Sequence, residues 1–598
     1  MLGGKADEGP ARYVLETLLS TIGVPFRYLS DPRDVETGVQ GRPVYLVVGP
    51  VDDSIVDRLA RRTAVVALPG PVLSAIGRQL IADGARRSAD RPATPRCGAG
   101  SCAPPTDGQE APWAAHKPLP YACQSSEPKP HPPDPVQVGI VRRAAAEGYL
   151  VVITEDVIGP SFDLLSRAEE HSARERDRHD RFLSIHSQVL PPEHVGRPLV
   201  SEYARLLRDC LKEACAGARI PTICKEPWPL GKPMAGCLTH DVDVVRRGKL
   251  PRGVAVRDVR GAISSLRRGQ LRAAAGRAAT IARTALSGRD PYWTFDRILA
   301  LEKQHDYRST FYFMTVRQHP EDATYRLDSA GMAQLLSGLA GLGCEIGLHG
   351  SYASYLDGGS LRSQKVALEQ RIGREVTGHR NHLLRFRAPD SWIAQEWAGF
   401  SYDATLGFAD REGFRGAHAF PFHPYDPVSG QASSLLEVPL AVMDVSLLKY
   451  RKLRGERAEA AVRSVLEQVR ATGGLATLLW HNDTFYDPEY PGSGHLYLTA
   501  LRWLAENDAY VATAGEIDRW WRARSAVSLR PIQGGGTGWR MECPAEIAGL
   551  ALRISLPDLK SSLRVRGKAP LVLKREGQDY LLEFGLLPAG FTMDIEYE

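Results

Sequence analysis

No apolar run in the 598 residues approaches the ~18 to 20 uninterrupted positions that a membrane-spanning helix needs, which sets aside a helical membrane protein. The first residues, MLGGKADEGPARYVLETLLS, lack a basic cluster followed by an apolar stretch and a small-residue cleavage site. No secretory signal is therefore expected, and the cytoplasm is the expected location. Cysteine is scarce: nine residues, odd in number and mostly scattered, fit reduced thiols and exclude a disulfide scaffold. Cys97, Cys102 and Cys123 do lie with His116 in a Pro/Gly-rich stretch, but their spacing matches no zinc-ligand pattern, so a cysteine-bearing insertion is expected there. Charge of one sign is missing too. A formal +5, with both signs mixed through most of the chain, gives no footprint for nucleic acid. With 43% hydrophobic and 24% charged residues, the chain is neither disordered nor embedded in lipid.

At roughly 100 to 200 residues per domain, this length implies three or more units. Residues 1–230 read as an N-terminal α/β domain, with short apolar runs such as VYLVVG and AVVALPG among helix-like segments. A Pro/Gly/Cys-rich insertion interrupts it near 88–135. The strand-like YLVVITEDVIG follows, then the charged run RAEEHSARERDRHDRF, expected as a solvated helix face or turn, and an amphipathic helix from Leu199 to Ala216. From 231 to 525 apolar β runs alternate with helices, which implies β/α units around a parallel sheet or barrel. From 526 to 598 short alternating β runs predict a small all-β, sandwich-like domain. Inside the middle unit, residues 246–289 carry about a dozen Arg and Lys among Ala, Leu and Ile with very few acids. A basic helical insertion is expected there. It is either a solvent-exposed hairpin beside the catalytic mouth or a contact for an anionic membrane or a lipid-linked substrate.

The polar residues of the middle unit fall where its strands end: Asp241 and Asp243 in THDVD, His349 in EIGLH, Asp444 in MD, His481 and Asn482 in LWHN. A strand delivers its terminal side chains to the rim of an α/β fold, the edge where chemistry is placed. Convergence of these groups on one mouth can hold a divalent metal and still leave an acid and a base, the parts metal-assisted hydrolysis needs.

These residues resemble the polysaccharide deacetylases with the NodB-homology fold, carbohydrate esterase family four, and in particular bacterial members with an extra N-terminal domain. LTHDVD is similar to that family's first motif, STFYFMTV to its A-T-F-F-V strand, EIGLHG to its second motif, PLAVMDVSL to its fourth and LLWHN to its fifth. The resemblance implies a distorted (β/α) barrel and a hydrolase that removes N-acetyl groups from an amino sugar or glycan, in bacterial surface-polysaccharide or glycoconjugate biosynthesis. It further implies a divalent metal, zinc ahead of cobalt, nickel or manganese, on Asp243 and His349, with Asp241 as base, His481 as acid and Asp444 orienting that acid. The second motif departs from the family: the next histidine, expected four residues after His349, is Ala353. His382 in GHRNHLLRF is the expected replacement ligand, with Ser354 and Tyr352 behind it. For the arginine that fixes the base, Arg380 is preferred over Arg387. Ser351 and Tyr352 are expected to offer a backbone N–H to the oxyanion; Trp392 and Asn482 are expected at the sugar, with Tyr402, Phe408, Phe485 and Tyr486 as further aromatics. Two rival readings stand beside this one: a degenerate glycan-binding or assembly protein, and a metal-dependent hydrolase of a cyclic amide or an O-acetyl ester.

Overall fold

The computed structural model describes residues 8–24, 45–48, 64–68, 132–144, 148–247, 256–287, 290–532, 537–558, 560–567 and 569–598. Cys97, Cys102, Cys123 and His116, and most of the expected insertion around them, lie outside the described residues.

Nine parallel strands build the central unit: β1 (Ala235–Val242), β2 (Thr310–Phe313), β3 (Glu345–Gly350), β4 (Gly378–Asn381), β5 (Tyr402–Asp403), β6 (Leu436–Glu437), β7 (Leu440–Met443), β8 (Leu475–Leu479) and β9 (Tyr510–Ala512). Their order is β6-β5-β4-β3-β2-β1-β8-β7, and β9 shares the β2 side of β1 by pairing with its first half. The two outer strands of that order, β6 and β7, are separated in the chain only by Val438 and Pro439. Proline has no N–H to give to a ladder. The chain breaks there and changes partners: Val438 still donates to Asp403 O, while Leu440 donates to Leu406 O and pairs with Thr477 of β8. Because the edges are almost consecutive in sequence, the sheet curls into the expected distorted barrel. Both faces of the inner strands are covered, so even their polar residues are enclosed; all eight residues of β1, Thr239, His240 and Asp241 included, are buried.

Period-two alternation sends Thr239, Asp241, Tyr312, His349 and Arg380 to the inner face. Two glycines make room for that face. A Cβ on Gly347 would lie 2.6 Å from the Tyr312 ring, and one on Gly378 would lie 2.0 Å from the Tyr402 hydroxyl. Tyr402 and Tyr312 thereby fill the barrel below the polar groups, with Tyr402 Oη donating to Glu345 at 2.9 Å.

In the N-terminal region, the strands Tyr45–Val48, Ala64–Leu68 and Tyr149–Ile153 run parallel and Ile140–Ala144 is antiparallel to the last. Helices Glu8–Ile22, Ile158–Leu165 and Leu199–Gly217 contribute to a hydrophobic core that is continuous with the outside of the barrel. The charged run after the second of these helices is solvated only in part: Arg174, Glu175 and Arg178 are exposed, while Arg167, Glu169, Glu170 and Arg181 are buried. Glu170 is buried; burial opposes its charge, but Arg415 and Arg167 outweigh this and hold its carboxyl at about 2. Residues past 526 form antiparallel sheets around a second core. One strand of that unit comes from far away: Thr222–Lys225, expected in the first domain, pairs with Ala551–Ser555.

Gly378→Ala is expected to lower stability by about 1–3 kcal/mol through overpacking against Tyr402. Gly338→Ala, inside helix Ala330–Gly341 with nothing within 4 Å, should raise it by about 0.5–1 kcal/mol. Urea unfolding midpoints of the two variants check both signs.

Candidate active site

The C-terminal ends of β1, β3 and β4 bring three electron-rich atoms together. Asp243 Oδ1 lies 3.1 Å from His349 Nε2 and 3.3 Å from His382 Nδ1, and the two imidazole nitrogens are 3.2 Å apart. The other nitrogen of each ring settles the tautomer. His349 Nδ1 faces Arg380 O at 3.0 Å and His382 Nε2 faces Glu321 O at 3.0 Å; a carbonyl only accepts, so both nitrogens carry the proton. Both inward nitrogens are therefore lone-pair donors in the neutral rings. Asp243 Oδ1 is a buried carboxylate oxygen with no hydrogen-bond donor of good geometry. One carboxylate oxygen and two imidazole nitrogens, oriented from behind by carbonyls, suit a divalent transition metal with positions left open. Electrostatics favour a positive charge there. Burial opposes ionisation of Asp243, yet His382 and His349 hold its carboxyl well below the usual range, and Asp243 in turn outweighs burial to raise His382.

Two further groups flank this centre. Asp241 Oδ1 accepts from Arg380 Nη1 at 3.0 Å, and the same nitrogen donates to Thr239 Oγ1 at 2.8 Å. Arg380 is fully buried, its Nε donates to Ala404 O and it lies over the Tyr312 ring at 4.6 Å. Arg387 is directed elsewhere, to Asp180. On the other side His481 Nε2 stands 3.7 Å from Asp243 Oδ2, while its Nδ1 donates to Asp444 Oδ1 at 2.8 Å. Asp444 also accepts from the backbone N–H groups of His481 and Val445 and from Thr484 Oγ1. Burial disfavours the imidazolium, but Asp444 outweighs it and lifts His481 to about 10. That shift makes His481 a proton donor at neutral pH.

His382 reaches the centre through a strained turn. The next two residues, Leu383 and Leu384, have φ of 58° and 53°. Left-handed backbone costs a residue with a Cβ roughly 1–2 kcal/mol, so neighbours must hold the turn. Ala353, by contrast, is exposed. Ser354 Oγ is spent on Ser351 O, and Tyr352 Oη on His179 Nδ1.

Several expected substrate contacts are placed otherwise. The Ser351 N–H donates to Gln364 Oε1 at 3.0 Å and the Tyr352 N–H to Asp322 Oδ1 at 2.7 Å, so neither is free for an oxyanion. Trp392 is buried outside the barrel against Phe386 and Phe422, its Nε1 donating to Glu437, whose carboxyl burial and Asp403 raise well above the usual range. Asn482 is buried and its amide ties Val244 O to Tyr292 O. Tyr402, Phe408 and Phe485 are core residues. His240, between the strand-end motif residues, points outward to Glu302 and Trp480 O. Thr239 and Thr484 are not evident as site residues from sequence. Their only signal is position, two residues before Asp241 on the same face and three after His481.

A family described as of unknown function (DUF7033) matches residues 121–216. No curated protein matches the chain. Among solved structures the chain is similar to a Mycobacterium smegmatis protein described as a polysaccharide deacetylase, at 20% identity over 50% of this chain and 93% of that one, with a TM-score of 0.32. It is also similar to PuuE allantoinase, at 14% identity over 50% and 93%, TM-score 0.34. A third is BA3943 of Bacillus anthracis, described as a CE4 family pseudoenzyme, at 12% identity over 48% and 66%, TM-score 0.25. All three are likenesses of fold across half of this chain.

Asp243→Ala is expected to abolish binding of zinc or cobalt(II), and His382→Ala to weaken it by at least about tenfold, since each removes one of three converging donors. Calorimetric titration of chelator-stripped protein checks both.

Proposed function

We propose that the chain is a divalent-metal-dependent N-deacetylase acting on an N-acetylated amino sugar or glycan in surface-polysaccharide or glycoconjugate biosynthesis, with zinc as the resident ion. Asp243, His349 and His382 hold the metal. When bound, a divalent ion supplies an activated water and polarises the acyl carbonyl. Asp241, steered by Arg380, takes the proton of the attacking water. His481 gives its proton to the departing amine, a leaving group that cannot depart as an anion. Asp444 keeps His481 oriented and charged. The observation that carries this reading is the juxtaposition of an imidazolium acid, 3.7 Å from Asp243, with a carboxylate and two imidazoles whose lone pairs face one another.

Acetate release from N-acetylated amino-sugar oligomers tests it. His481→Ala is expected to lose about 10²–10⁴-fold in rate while keeping its metal, and to lose less on an O-acetyl ester, whose alkoxide needs less help to leave. Glycan binding by wild-type protein with no acetate released from any such oligomer would support the binding reading instead.

The same proposal extends to where the enzyme works. Residues 246–289 hold twelve of the chain's 75 Lys and Arg and one of its 70 Asp and Glu, so the remainder is net negative. They form helices Val256–Arg267 and Leu271–Ser287, which carry Ile263, Leu266 and Leu271 exposed among the arginines. The insertion leaves the barrel three residues after Asp243, and Arg247 N–H donates to Asp290 Oδ1 where it returns. Among the described residues no helix is long and apolar enough to cross a membrane. A cationic helix with exposed leucines fits the surface of an anionic bilayer, at about 1 kcal/mol per basic residue. Sedimentation with phosphatidylglycerol vesicles, but not phosphatidylcholine vesicles, is expected. The triple variant Arg260→Glu, Arg267→Glu, Arg268→Glu should abolish it without changing turnover of a soluble substrate.

A further inference from the structure

Resting on the reading of Asp243, His349 and His382 as a metal site, we infer that the segment Arg176–Arg181, just over two hundred residues before His382, is a clamp that positions the two histidines. Its contacts converge on the strained turn. Arg181 Nη1 donates to Leu383 O at 3.1 Å, the carbonyl of the first left-handed residue, and Arg176 Nη1 donates to Phe386 O at 3.3 Å. Returning contacts close the grip: Arg385 Nε donates to His179 O at 2.8 Å, and Arg387 Nη2 forks onto Asp180 at 3.0 and 2.8 Å. Arg181 is itself fixed, by Asp177 Oδ2 at 2.9 and 2.6 Å and by the Tyr450 hydroxyl at 2.6 Å.

The clamp holds the other histidine loop as well. Arg385 donates through Nη1 to Tyr352 O and lies between the Tyr352 and Tyr355 rings, at 4.0 and 3.9 Å. Tyr355 Oη donates to Asp180, and Tyr352 Oη meets His179 Nδ1 at 3.2 Å. Tyr352 follows His349 by three residues and Leu383 follows His382 by one. One segment thus grips both chains just beyond the histidines, so it sets the 3.2 Å spacing between their inward nitrogens. This compensates for the place of His382. A histidine four residues after His349 would share a loop with it, whereas His382 arrives on a separate strand and needs an outside reference. The clamp lies within the 121–216 stretch matched by the family of unknown function, and the inference gives that stretch a role in which Asp180 and Arg181 are positioning residues for the metal.

Cobalt(II) titration of the full chain after chelation tests this, read by calorimetry and by the visible absorption of the bound ion. Arg181→Gln is expected to weaken cobalt binding by about 10- to 100-fold and to change the absorption band, the range typical of residues that orient ligands from behind. Arg181→Lys, which retains a donor for Leu383 O, should recover part of the loss. Asp180→Asn, which tolerates the left-handed φ of 60° at that position, should show a smaller loss in the same direction. Arg197→Gln, which breaks ion pairs with Asp134 and Glu202 elsewhere in the N-terminal region, should bind cobalt as wild type does. Wild-type protein that takes up no cobalt would overturn the metal reading itself. Tight wild-type binding matched by folded Arg181→Gln and Asp180→Asn, with unchanged spectra, would overturn the clamp alone. If Arg181→Gln does not fold, Asp180→Asn decides.

Discussion

Three electron-rich atoms facing one another across 3.1 to 3.3 Å repel unless a positive charge lies among them, and the architecture around Asp243, His349 and His382 is organised to keep them there. Two backbone carbonyls fix the imidazole tautomers so that neither ring can turn its proton inward without losing a buried hydrogen bond. Arg380 supplies the charge that lets Asp241 stand beside Asp243, and Asp444 supplies the charge that keeps His481 cationic. Asp241 and His481 thereby carry separate counter-ions on opposite sides of one centre, which would let the base and acid of the proposed reaction share a small buried space.

The barrel makes that separation possible. Strand alternation brings Asp241, His349 and Arg380 to one face, and the glycines at 347 and 378 let Tyr312 and Tyr402 occupy the space beneath them. The floor is therefore solid, and the polar groups are confined to the rim. Closure through Val438 and Pro439 places β7, and with it Asp444, beside β8, which His481 follows by two residues. A rigid α/β rim and an N-terminal segment that grips its loops divide the work: strands deliver Asp241, Asp243 and His349, and long-range arginine contacts deliver His382.

Much of the site was legible because strand-end residues reveal themselves by following apolar runs: Asp241, Asp243, His349, Asp444 and His481 all do. The barrel class was legible from the same alternation. β4 and β5 were not, since GHRN and YD are short and polar and owe their strand conformation to neighbours on the sheet. The choice between Arg380 and Arg387 depended on which face each occupies, and only the register of β4 with β3 decides that. Trp392, Asn482 and the N–H groups of Ser351 and Tyr352 were misplaced for one reason: a polar or aromatic group near a site can be consumed by structure, here by Glu437, Val244, Gln364 and Asp322. Glu170 and Arg181, in the charged run after Leu165, were misread as solvated because their partners, Arg415 and the turn after His382, lie more than two hundred residues away. The strand Thr222–Lys225 shows the same limit, its mate being Ala551–Ser555.

X-ray absorption spectroscopy of the zinc-loaded full chain tests the account at its centre. It predicts a first shell of two imidazole nitrogens with carboxylate and solvent oxygens and no sulfur, retained in Ala353→Ser and reduced to one imidazole in His382→Ala. A shell with a single imidazole in the wild-type protein, or one containing cysteine sulfur, would contradict it.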